Sequence, residues 1–74
     1  MTGTMHIEID RAEGSLQRLI GLIERRGFHI EGLTLAGEGE RRLLALNLRA
    51  HDATRRIDVL GRQIDKLYGV RRFA

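Results

Sequence analysis

Gly27-Phe28-His29-Ile30-Glu31-Gly32-Leu33 is the stretch on which the fold turns. Before it runs a helical pattern. Leu16, Leu19, Ile20 and Ile23 fall at i, i+3, i+4 and i+7, with Gln17, Arg18, Glu24 and Arg25 elsewhere. Arg25 and Arg26 suit the negative C-terminal end of that helix, and Gly27 is the residue that a left-handed position just past a helix takes. From Phe28 the period changes to that of a strand reaching Ala36. Phe28 and Ile30 then lie on one face, Leu33 and Leu35 on the other, so either Gly32 marks a bulge or both faces are covered.

Upstream, Met5, Ile7 and Ile9 alternate with His6, Glu8 and Asp10, the pattern of a strand with one buried face. The turn Arg11-Ala12-Glu13-Gly14 follows, and Ser15 is the expected helix N-cap. Downstream, Gly37-Glu38-Gly39-Glu40 reads as a hairpin connection. A third strand over 41–49 puts Leu44, Leu46 and Leu48 on one face and Leu43, Ala45 and Asn47 on the other. A second helix is expected from Asp52 or Ala53 to Tyr68. Ile57, Leu60, Ile64 and Leu67 form its apolar stripe, Asp52 its cap and Gly69 its stop. Gly61 beside that stripe allows close approach of a neighbouring element. Val70 to Phe73 makes a short last strand.

The order β-α-β-β-α-β predicts an α+β fold: a ferredoxin-like sandwich with a four-stranded antiparallel sheet and two helices on one face. The other face would carry some of Leu33, Leu35, Leu43 and Ala45, a patch suited to a partner. A register off by one residue would turn those leucines inward instead.

The 74 residues make one domain, 1–74. A chain of this size buries only about 60% of the surface exposed when unfolded, so association is a natural source of further burial. With no cysteine there is neither a disulfide framework nor a thiolate metal site. The composition, 42% hydrophobic and 31% charged, is that of a soluble folded domain, without a membrane span or a secretory signal, and a cytoplasmic location is expected. The net charge of +3 comes from twelve arginines and one lysine against ten acids. The arginines pair at element ends with acids nearby, which favours a salt-bridged surface over a phosphate-tracking stripe.

Catalysis by the chain alone is not expected. Ser15 is the only serine and has a structural role as a cap, and His6, His29 and His51 fall in three elements without ligand spacing. The central strands, 4–10 and 41–49, have no aromatic residue for stacking RNA bases. What remains is the turn before the first helix, where unpaired backbone N–H groups and Gly14 can receive a carboxylate, or where Gly14 simply makes the turn.

The run Glu13 to Leu35 resembles the ACT domain of the acetolactate synthase small, regulatory subunit, and Gln63-Ile64-Asp65-Lys66-Leu67-Tyr68-Gly69-Val70 is similar to the end of that family's second helix. The resemblance covers nearly the whole chain. It implies a non-catalytic subunit without a cofactor, which binds and activates the thiamine-diphosphate-dependent large subunit in branched-chain amino-acid biosynthesis. It further implies a homodimer with an amino-acid effector at the interface, where the first turn of one copy meets the start of the second strand of the other. Carried over, the candidate effector-binding residues are Arg11, Ala12, Glu13, Gly14, Ser15, Leu16, His29 and Ile30. Arg11 and His29 stand where valine-responsive members have asparagine, and His29 is similar to the short, valine-insensitive isozyme type. Valine sensitivity is therefore in question. The competing reading is a stand-alone amino-acid-sensing module that controls another enzyme or a regulator; a nucleic-acid binder is a weaker third.

Overall fold

Six segments set apart by a change of hydrophobic period become six elements. The computed structural model describes residues 2–10, 14–37, 39, 41–67 and 69–73. In chain order they form β1 (Thr2–Asp10), α1 (Ser15–Arg25), β2 (Phe28–Ala36), β3 (Arg41–Ala50), α2 (Ile57–Ile64) and β4 (Val70–Arg72). The strands make one antiparallel sheet in the order β2-β3-β1-β4.

β1 and β3 pair from Thr2↔Arg49 to Asp10↔Arg41. Residues directly opposite in a ladder project from the same face, so Met5 and Ile7 share a face with Leu46 and Leu44. All four are buried there against Leu19 and Ile23 of α1 and Leu60 and Ile64 of α2. This is the expected ferredoxin-like sandwich. Fully burying each such side chain is worth about 1.5–3 kcal/mol.

β2 resolves the ambiguity at Gly32. Ile30 pairs with Leu48, but Gly32 pairs with Asn47, so Glu31 is the extra residue of a β-bulge. The slip carries Leu33 opposite Leu46 and Leu35 opposite Leu44, onto the helix-bearing face. The expectation that Leu33 and Leu35 oppose Phe28 and Ile30 is thus corrected: one inserted residue restores a common face. Leu43 and Ala45 do occupy the open face, as predicted.

Gly27, at φ 88, ends α1 in the left-handed conformation and donates its N–H to the Glu24 carbonyl at 3.1 Å, as the sequence led us to expect. Two helix starts differ from expectation. The cap of α1 is Gly14, at φ 84, and Ser15 is the first helical residue. The Ser15 hydroxyl donates to the Asp10 carboxylate instead of accepting from a backbone N–H. The second correction is that α2 begins at Ile57, not at Asp52 or Ala53. The Asp52 carboxylate accepts from the backbone N–H of Thr54 at 2.9 Å and from its hydroxyl, closing a local turn, and Arg56 is extended. The helix also ends earlier than expected, at Ile64 with Asp65 as its C-cap rather than at Tyr68, which itself lies outside the described residues.

Gly61 does permit a close approach. A Cβ there would sit 2.6 Å from the guanidinium of Arg72, which crosses α2 to bond Asp65 through two N–H donors at 3.0 and 2.9 Å. Among the described residues no helix is long and apolar enough to cross a membrane.

Candidate functional site

The first helical hydrogen bond of α1 runs from the Arg18 N–H to the Gly14 carbonyl at 2.9 Å. The N–H groups of Ser15, Leu16 and Gln17 therefore have no partner within the helix, and the positive end of its dipole lies among them. Left-handed Gly14 makes this geometry, since an L-residue there would cost about 1–2 kcal/mol. Beneath the turn, Ser15 is buried and joins two charges: its hydroxyl donates to Asp10 Oδ1 at 2.6 Å and accepts from the Arg18 guanidinium at 3.2 Å.

Beside this helix start lies a cleft of about 150 Å³. Leu16 and Gln17 line it from α1 and Gly14 from its cap, Ile9 and Asp10 from the end of β1, Arg42 from β3 and Leu35 from β2. Ile9 and Arg42 are cross-strand partners, so the guanidinium stem rises on the inward, helix-bearing face. Arg42 has no carboxylate within ion-pair distance among the described residues. The cleft combines an aliphatic wall (Ile9, Leu16, Leu35), a cation, backbone donors without a partner in the helix, and the Asp10 carboxylate, which already accepts from Ser15. Such a set matches a small zwitterion with an apolar side chain.

Of the sequence-predicted site residues, Gly14 and Leu16 line this cleft and Ser15 supports it from below. Arg11, Ala12 and Glu13 lie outside the described residues. His29 and Ile30 are not brought to the cleft within one chain. They occupy the start of β2, about 16–20 Å along the strand from Leu35 at the usual rise per residue. Ile9, Asp10, Gln17, Leu35 and Arg42 were not anticipated. Arg42 was legible: it falls in the inward series 42, 44, 46, 48, where a charged residue among leucines marks an opening in the core.

Three aspartates outside the cleft have shifted acidity. Hydrogen bonds from Thr54 hold Asp52 below its ordinary pKa, the Arg56 guanidinium does so for Asp58, and the Arg72 guanidinium for Asp65.

On the open face of the sheet, Thr34, Ala36, Leu43, Ala45, His6 and Phe73 surround an almost wholly apolar groove of about 390 Å³. Leu43 and Phe73 stand up from it, 53% and 51% exposed.

Comparison with known proteins agrees with this architecture. The chain is 27% identical over 66 residues to the acetolactate synthase small subunit of Buchnera aphidicola subsp. Baizongia pistaciae (strain Bp). The match takes in 89% of this chain but 42% of that protein, so the chain spans less than half of its relative's length. Two solved structures share the fold at low identity. In the formyltetrahydrofolate deformylase of Burkholderia mallei ATCC 23344, the match has a TM-score of 0.75 at 19% identity, covering 99% of this chain and 27% of that one. The ACT domain of the GTP pyrophosphokinase of Chlorobium tepidum gives 0.64 at 18% identity, covering 100% and 86%. The profile of the ACT domain itself matches residues 11–73. On that match, which takes in all but the two ends of the molecule, the chain belongs to the ACT domain family.

Proposed function

We propose that this chain acts as the non-catalytic regulatory small subunit of acetolactate synthase, binding and activating the thiamine-diphosphate-dependent large subunit in the cytoplasm. The observation that carries the reading is the cleft at the start of α1, in a chain similar to an acetolactate synthase small subunit. Leu16, Leu35 and Ile9 would take the side chain of a branched amino acid. Arg42 and the N–H groups of the first turn would take its carboxylate.

A second copy completes the site in this reading. β2 is an edge strand nine residues long, with its outer backbone groups open to another strand. Two copies pairing antiparallel along β2 would set the start of one strand, with His29 and Ile30, beside the end of the other, where Leu35 borders the cleft. In this reading the described candidates, Gly14, Ser15, Leu16, His29 and Ile30, would meet at one interface. The apolar groove on the open face then remains for the large subunit, which would bury Leu43 and Phe73.

The test is reconstitution. Mixing the chain with the matching large subunit should raise acetolactate formation, and Leu43→Glu should weaken that activation while leaving the chain folded. No co-purification and no activation would overturn the proposal. Addition of valine should change the rate little, since Arg11 and His29 replace the amides of responsive members. Calorimetry showing tight binding of an amino acid outside the branched-chain group would point to a module that controls a different enzyme.

A further inference from the structure

His29 lies in β2 and His51 directly follows β3, far apart in the chain, yet the β2–β3 register brings their rings together. His29 lies opposite Arg49, and the His51 N–H continues the ladder with a hydrogen bond to the Gly27 carbonyl at 2.9 Å. The two histidines are thus diagonal neighbours on the open face, a relation within reach of long side chains. Their ring centroids are 4.1 Å apart and the planes are inclined by 41°.

Both residues are exposed, and neither imidazole has a hydrogen-bond or ion-pair partner among the described residues. The Asp52 carboxylate next to them is occupied by Thr54, and Arg49 beside them is ion-paired with Glu31 at 2.9 Å. Two exposed imidazoles brought ring to ring by a hydrogen-bonded ladder, without a hydrogen-bond partner among the described residues, match the preference of borderline divalent ions for imidazole.

We propose that His29 and His51 form a two-imidazole chelating site for a divalent transition-metal ion of the copper, nickel and zinc group, with water completing the coordination. No group of three or more histidine or carboxylate side chains that could hold a metal occurs among the described residues, so the site is an open surface chelate rather than a closed structural centre. The order of affinity follows the general one for nitrogen donors, with Cu²⁺ tightest.

Titration of Cu²⁺ into the full chain, read by calorimetry and by the nitrogen hyperfine structure of the copper spectrum, tests this. One equivalent should bind with two nitrogens in its coordination sphere. Even an outer-shell change costs metal sites about 10–100-fold, so His29→Asn and His51→Asn should each weaken binding by at least about tenfold. His6→Asn, on the same face but remote from the pair, should leave it unchanged. Both substituted side chains are exposed, so the core stays intact, and H51N tests the site without touching β2. Binding unaltered in H51N, binding that tracks His6, or a copper spectrum with a single nitrogen would each overturn the proposal.

Discussion

The two halves of β2 project their leading side chains from the same sheet face, yet they live in different surroundings. Phe28 is 2% exposed, whereas Leu33 and Leu35 are 40% and 37% exposed. Composition does not separate them, for all three are large and apolar. α1 starts at the cleft beside Leu35 and ends at Arg25, with only Arg26 and Gly27 between it and Phe28. Phe28 packs into the core, whereas Leu33 and Leu35 keep more than a third of their surface open. A bare apolar end on an edge strand is a surface that a second copy can bury, and it is the same surface that borders the cleft.

The largest effect expected from this contrast is on stability. Phe28→Ala should destabilise the chain by about 3–5 kcal/mol, the usual cost of emptying a buried aromatic site. Leu35→Ala should cost much less, because its side chain already meets solvent. Urea denaturation measures both, and equal losses would break the distinction between the two halves.

Next comes the junction that sets where β2 starts. Gly27→Ala forces an L-residue to φ 88, at about 1–2 kcal/mol. Its new methyl would also press on the Arg55 side chain, 2.6 Å from the ideal Cβ position. A clear fall in Tm is expected; an unchanged Tm would mean that the left-handed turn is not required.

Asp65 gives the smallest effect and lies away from β2. Arg72 holds its carboxyl below the ordinary 3.8, so the pair stabilises the fold above that value. The contribution is lost as the pH falls through the lower native pKa. Asp65→Asn should therefore lower neutral-pH stability slightly and flatten the acid limb of the stability curve by the same small amount, because the pair is exposed and screened. A stability curve with the same slope below pH 4 in both proteins would contradict the assignment.

Much of this architecture is readable from period alone. The changes at Leu16, Phe28 and Arg41 mark real element boundaries, and Gly27 stops the first helix as its chemistry requires. Periodicity cannot place an inserted residue, however. With Glu31 bulged, the faces of Leu33 and Leu35 reverse relative to a straight count. Nor can it tell that Asp52 spends its carboxylate on Thr54, which delays α2 to Ile57. At the site, Gly14 and Leu16 were legible from the turn before a helix. Asp10 and Leu35 reach the cleft only through tertiary pairing, and Arg42 gave a signal that its neighbour Arg41 hides, because the two read together as a solvated pair.

The claim that the bare end of β2 is covered by a second copy meets its most direct test in sedimentation velocity at micromolar concentration. The unmodified chain should sediment as a dimer, and Leu35→Glu as a folded monomer. A monomeric unmodified chain, or an equally stable dimer with glutamate at position 35, would contradict it.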